Sequence, residues 1–489
     1  MKLTHKPTPT TLPRTALLAV LAPERSRPAL PRGVELPPAA LRTFKGEFRE
    51  IRLADATRGS AARVLLVGLG PRKAVDAERV RRAAAIAVQK AENIGAASLA
   101  ILVADDVAKL GGGAEDVGCA ASEGALMGAY RYDLGKSKPK PRKLKSACTM
   151  ARGAAFARGA RRGRVLGEAN CFARDLQNQA GNQITPRALA AAAQGLARRS
   201  ARITCRALDE AAMKKLGMGL LLGVSAGSRE PARLIHLKYR PKGRSKGRVA
   251  LVGKGLTFDA GGISLKPSAR MDEMRYDMSG GAAVLGAFHA LASIDVPFEV
   301  HGIVPSSENL PDGGATKPGD VHRALDGTTV EVANTDAEGR LILADALAYA
   351  VKKVAPDTII DLATLTGAVV VGLGHEVTGL FATTTKLRDA LTRAGEAVGE
   401  RVWPLPLLDE HLENLKSGPA DLRNICTPEM GGGSIAGASF LSHFVGGVEW
   451  CHLDIAGTAW GQKNRDYVGG TGGTGVGARL LIRTLLDRA

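Results

Sequence analysis

The sequence predicts an α/β protein: a small N-terminal α/β domain over residues 1–150, a joining helix over 151–178, and a larger C-terminal domain over 179–489 with a mixed sheet covered by helices. Three observations predict it. Short apolar runs ending at glycine or acidic residues alternate with longer runs of helical spacing, the pattern of strands packed under helices. The segment GKSKPKPRKLKS (135–146) carries lysines, two prolines and no acid, so it cannot pack and marks the edge of the first part. An Ala/Arg-rich stretch of helical composition follows it. A chain of 489 residues has room for such parts, at ~100–200 residues per domain.

In chain order, TALLAV (15–20) reads as the first strand. It is too short, too Pro-flanked and too poor in cleavage-site residues for a signal sequence. RVLLVGLG (63–70) and SLAILVA (98–104) are strands around the helix AERVRRAAAIAVQKAEN (77–93). ITPRALAAAAQGLARR (184–199) begins a helix, with Thr185 as N-cap and Pro186 at the first position. RLIHLKYR (233–240) and GRVALVG (247–253) flank a turn-rich PKGRSKG and are expected to pair as a hairpin. FEVHGIVP (298–305), TVEVAN (329–334) and TIIDLATL (358–365) read as strands. MSGGAAVLGAFHALASI (278–294) and GRLILADALAYAVKK (339–353) read as helices. The glycine-rich GGTGGTGVG (469–477) lacks the Lys-Ser/Thr of a phosphate loop and reads as a turn before the last helix.

The net charge of +19 is unevenly spread. Residues 1–170 hold 31 basic and 15 acidic groups, 171–250 hold 16 and 4, and 251–489 hold 20 and 29. Cations are therefore expected in the second half, and any polyanion, such as DNA, against the first. No run approaches the ~18 apolar residues of a membrane span. Six cysteines without a CxxC pair read as reduced thiols, which points to the cytoplasm.

The chemistry concentrates in three loops. NTDAEGRL (334–341) sets Asp336, Glu338 and Arg340 between a strand and a helix. Capping and dipole compensation alone account for two acids there. VGKGLTFDAGGISLKP (252–267) adds Lys254, Asp259 and Lys266 among glycines, and MDEMRYDMSGG (271–281) adds Asp272, Glu273 and Asp277. Carboxylates gathered at strand ends repel unless cations neutralise them. Oxygen-rich ligation suits Mg, Mn or Zn, and two metals sharing a bridging carboxylate account for the number of acids.

These loops, with DLATLTGA (361–368), QAGNQITP (179–186) and WCHLDIAGTAW (450–460), closely resemble the leucyl (cytosol) aminopeptidases over roughly 170–489. The resemblance implies a dinuclear metallo-exopeptidase that releases leucine and other neutral apolar N-terminal residues from short peptides. It places one metal, Mn or Zn, on Asp259, Asp336 and Glu338, and a second on Lys254, Asp259, Asp277 and Glu338. It makes Lys266 the electrophile facing the scissile carbonyl, and Arg340 the holder of a bicarbonate that takes a proton from the attacking water. It lines the pocket for the first side chain with Met274, Thr364, Leu365, Gly367 and Ala456. It also implies a homohexamer, a dimer of trimers. Ala260 and Gly281 depart from the usual pattern without removing a ligand. Two other functions compete: a two-metal phosphoesterase, disfavoured by the Lys254/Lys266 arrangement, and DNA binding by the basic first half, for which no recognition motif is present.

Overall fold

The computed structural model describes residues 1–8, 14–110, 112–470 and 472–489, and the chain forms two compact units. The first comprises Met1–Cys171 with Ala397–Gly399 and Lys463–Thr471; the second holds the remainder. The division at Cys171 falls inside a 24-residue helix, Ala154–Gln177.

The first unit is built on a six-stranded sheet of β1 (Lys2–Lys6), β2 (Thr15–Ala22), β3 (Ile51–Asp55), β4 (Ala61–Gly68), β5 (Ser98–Val103) and β6 (Ser146–Met150), ordered β1-β6-β5-β2-β4-β3. All neighbours are parallel except β3 with β4. Along β2, Leu17, Ala19 and Leu21 enter one core cluster, while Leu18, Val20 and Ala22 enter another. A strand buried on both faces is a continuous apolar run, as expected of a parallel sheet. The helix Ala77–Asn93 starts where Asp76 accepts from Arg79 N (2.8 Å). It packs on Ala114–Gly128, and the crossing is so close that a side chain at Gly124 would strike the Arg81 carbonyl. TALLAV is thus the second strand. The first, KLTHK, pairs with β6 at the end of the sheet as described, and its exposed lysines suit an edge strand. The basic segment 135–146 is largely exposed and irregular up to β6.

The second unit holds an eight-stranded mixed sheet. Its strands are β7 (Ile203–Leu208), β8 (Arg233–Tyr239), β9 (Arg248–Gly253), β11 (Glu299–Ser306), β15 (Thr358–Ala363), β16 (Thr378–Ala382), β17 (Val402–Pro404) and β19 (Glu449–Asp454). The order is β17-β16-β19-β15-β9-β11-β8-β7. The four central strands, β19, β15, β9 and β11, are mutually parallel. The hairpin expected of 233–240 and 247–253 does not form: β11 lies between them, antiparallel to β8 and parallel to β9. Two short strands, β10 (Phe258–Asp259) and β12 (Glu308–Asn309), pair beside the sheet. TVEVAN yields only β14 (Thr329–Glu331), which with β13 (Val321–Arg323) and β18 (Leu422–Arg423) forms a separate three-stranded sheet.

Two helices carry the core. Ser279–Leu291, packed on β9, β11 and β15, and Glu338–Tyr349 are buried at every residue. Helices without a solvent-facing side lie in an interior, and the second takes Glu338, Arg340 and Asp345 in with it. Among the described residues no helix is long and apolar enough to cross a membrane. The last helix, Ala478–Asp487, follows Gly477 (φ 92°), as expected of the glycine-rich stretch; Thr471 within that stretch lies outside the described residues.

His289, on the first of these helices, is 8% exposed and stacked on Phe172 with ring centroids 5.0 Å apart. Burial, helped by Arg199, pushes its pKa down to about 4. The unfolded chain binds this proton near pH 6.5 and the folded chain only near 4, so this group lowers stability as pH falls through that window. His289→Phe keeps the stack and removes the titration. Its melting temperature is expected to drop less than wild type's between pH 7 and pH 5; identical drops in paired thermal melts would refute this account.

Candidate active site

The central strands end together, and the site residues follow those ends, where α/β sheets bind ligands. Lys254 comes directly after β9, with its N–H bonded to Leu362 O (3.0 Å) and its carbonyl accepting from Gly281 N (2.7 Å). Asp259 lies on β10, Asp277 ends the turn Met271–Tyr276, and Glu338 opens the helix Glu338–Tyr349. Among the described residues no side chain caps that helix, so Asp336 is not there as a cap.

The structure brings six of the sequence-selected side chains into one cluster. Lys254 Nζ lies 2.8 Å from Asp277 Oδ2 and 2.8 Å from Glu338 Oε1, and donates to Thr364 O (3.1 Å). Lys266 Nζ lies 2.8 Å from Asp259 Oδ2 and pairs with Asp336 as well. The carboxylates of Asp259, Asp336 and Glu338 offer oxygens within 4.8 Å of one another. The two lysines differ in access: the Lys254 side chain is 3% exposed and that of Lys266 is 21%. Gly339 leaves the room Lys254 needs, since a Cβ there would sit 2.5 Å from its Nζ.

Four carboxylates against two ammonium groups leave a buried deficit of positive charge, and the protonation of the cluster registers it. Burial, then Asp259, pushes Glu338 up to about 8, against the pull of Lys254. Burial raises Asp277 to about 6, again against Lys254. Burial and Asp259 also raise Asp336. Burial works against the charge on Lys254, yet Asp277, Glu338 and Asp259 hold its pKa well above the usual lysine value. Glu338 Oε2 is buried with no hydrogen-bond partner among the described residues. An acceptor left this way is costly unless something positive meets it. The carboxylate oxygens of Asp259, Asp336 and Glu338 therefore fit a divalent cation.

Arg340 stands apart. It is 7% exposed, donates Nη1 to Asn424 O (2.8 Å), and leaves Nε without a partner; no carboxylate pairs with it among the described residues. Burial lowers its pKa. An inward-facing guanidinium with spare planar donors is a receptor for a planar oxyanion.

The pocket candidates form a second group. Asp454 Oδ1 accepts from Leu365 N and Ala456 N (3.2 Å each), and its Oδ2 accepts from Thr366 Oγ1 (2.6 Å). Thr366 in turn caps the helix Gly367–Leu373 at Val369 N (3.2 Å). Thr364 Oγ1 donates to Asp277 Oδ1 (2.5 Å), which joins this group to the charged cluster. Met274 is half-buried on the turn before Asp277. Glu273 accepts from Trp460 Nε1 (3.0 Å) and pairs with Arg270 (2.8 Å), while Asp272 is exposed.

Sequence reasoning missed three residues that hold this arrangement. Asp454 ties the pocket segments together. Asn424 accepts from Ala333 N and Asn334 N, donates to Asn334 O, and offers its carbonyl to Arg340. Asn309 donates to Asp259 Oδ1 and Thr335 O. Apart from Ala456, two residues from Asp454, their partners lie 26 to 91 residues away, and only WCHLDIAGTAW, which contains Asp454, carried any signal.

A family model described as "Cytosol aminopeptidase family, catalytic domain" matches residues 171–482, and one described as that family's N-terminal domain matches 39–139. A probable cytosol aminopeptidase of Geobacter sp. (strain M21) is 46% identical over 455 residues, covering 91% of this chain and 90% of that protein. Among solved structures, the bottromycin maturation enzyme BotP in complex with Mn superposes with a TM-score of 0.87 at 36% identity, covering 97% of this chain and 99% of that one. A tomato leucine aminopeptidase variant superposes with a TM-score of 0.87 at 32% identity, covering 100% and 96%.

The raised pKa of Glu338 predicts a pH effect in protein stripped of metal. The folded state keeps a proton that the unfolded state releases near pH 4.5, so this group costs stability as pH rises from there to about 8. Metal-free Glu338→Gln should lose less thermal stability than metal-free wild type between pH 5 and pH 8. Parallel melting curves for the two proteins would refute it.

Proposed function

The chain belongs to the cytosol aminopeptidase family and is a peptidase hydrolase, and on that premise we propose that it removes N-terminal residues, leucine and other neutral apolar ones foremost, from short peptides with a free α-amine. The observation that carries the reading is the buried cluster of four carboxylates and two lysines at the ends of the parallel strands. Asp259, Asp336 and Glu338 would hold one divalent cation, and Lys254, Asp259, Asp277 and Glu338 a second. Manganese or zinc suits this set, and the BotP complex contains manganese. When bound, such ions supply Lewis acidity to the scissile carbonyl and make water a nucleophile at neutral pH.

The remaining roles fall to side chains of this chain. Lys254 must give up its proton to offer a lone pair, since an ammonium group has three donors and no acceptor. Lys266 is the more exposed lysine and keeps its charge, so it can donate to the oxygen that turns negative as the carbonyl is attacked. Arg340 would hold bicarbonate on its unused donors, and when bound there the anion would supply a general base beside the carboxylate cluster. Met274, Thr364, Leu365, Gly367 and Ala456 receive the first side chain, with Leu365 and Ala456 held in place through Asp454. A hexamer in the cytoplasm completes the reading; the relatives' name, cytosol aminopeptidase, supports the location.

Two outcomes test it. Leucyl amide should turn over while its N-acetylated form does not, and chelation should abolish the rate; equal rates on the free and blocked amides would exclude an exopeptidase. The lysines should separate in metal analysis. Lys254→Arg should lose one metal and activity, because arginine does not deprotonate. Lys266→Ala should retain both metals while kcat falls by ~10²–10³. Two metals per subunit in Lys254→Arg would show that the lysine roles are misassigned.

A further inference from the structure

Asn309 lies on β12, opposite Asp259 on the parallel β10, and is 4% exposed. Its Nδ2 donates to Asp259 Oδ1 (2.9 Å) and to the backbone carbonyl of Thr335 (3.0 Å). Both partners are pure acceptors, so the amide nitrogen must face them. Gly261 N donates to the same Asp259 Oδ1 (2.9 Å). That oxygen is satisfied from the protein side, and only Oδ2 points to the cluster, where Lys266 Nζ meets it at 2.8 Å. Thr335 O belongs to the peptide leading into Asp336, so one amide spans the loop of Asp259 and the loop of Asp336 and Glu338. Its setting is close-fitted: Gly262 adopts φ 67°, and a Cβ there would lie 2.7 Å from Asn309 Oδ1.

We infer that Asn309 is a positioning residue of the metal centre: it selects the oxygen Asp259 presents and fixes the spacing between the two carboxylate loops. The inference rests on the proposed metal binding. A bare carboxylate rotates between equivalent oxygens, whereas one pinned at Oδ1 presents a single aimed ligand without an ordering cost at binding. Partners behind a metal ligand affect affinity by ~10–100-fold.

The test uses full-length protein stripped with chelator, titrated with Mn²⁺ by calorimetry, and melted with and without Mn²⁺. Asn309→Ala and Asn309→Leu, which keeps the branched outline should alanine leave a void, are compared with wild type. Both variants should bind Mn²⁺ at least tenfold more weakly. Their metal-free melting temperatures should stay near that of metal-free wild type, and the rise on adding Mn²⁺ should shrink. Wild-type affinity in either folded variant overturns the inference. So does an equal loss of melting temperature with and without metal, which marks a merely structural amide. If wild type itself takes up no Mn²⁺, the proposed metal centre falls and the inference with it.

Discussion

The constraint on which the second unit depends is electrostatic: four carboxylates meet in its interior around only two ammonium groups. No apolar core tolerates that arrangement on its own. The surrounding structure is organised to hold it. Lys254 is fixed by backbone bonds to Leu362 and Gly281 on both sides of its peptide, Asp277 by Thr364, and Asp259 by Gly261 and Asn309. Two helices buried along their whole length lock the strand ends that carry these groups. Burial strengthens each interaction inside the cluster and raises the cost of any charge left unmatched.

The carboxylate cluster and Arg340 are kept separate by geometry. Glu338 and Arg340 are two residues apart at the start of one helix, yet Glu338 faces Lys254 while Arg340 faces Asn424 and makes no carboxylate pair among the described residues. Successive helical positions do not share a face, and here that spacing divides the labour. An arginine in direct contact with the acids would have neutralised them and spent its own donors at once.

Much of the site was legible in the sequence because its residues lie in three short loops dense in glycine and charge, where no packing explanation suffices. Helix and strand identities were legible wherever the apolar period was long, as in Ser279–Leu291. Pairing was not. The run 233–240 and the run 247–253 look like a hairpin, because nothing local shows that β11 will enter between them. KLTHK is too short and polar to read as a strand, and only its place beside β6 makes it one. Asn309, Asn424 and Asp454 escaped for a related reason. A buried amide or carboxylate that bonds to distant backbone has no spacing of its own, so its role exists only in three dimensions.

The strand order has a temporal consequence. β15 and β16 are consecutive in this sheet's chain order, but β19 lies between them and pairs with both, although it is made about 67 residues after β16 ends. β19 brings Asp454, which gathers Leu365, Thr366 and Ala456, and it brings Trp450 and His452, which bond Asp361 at 2.6 Å each. Until residue 454 of 489 has emerged, the sheet has an open seam beside the cluster and the pocket lacks its organiser. A growing chain thus carries every carboxylate and both lysines of the cluster long before it holds a finished cleft.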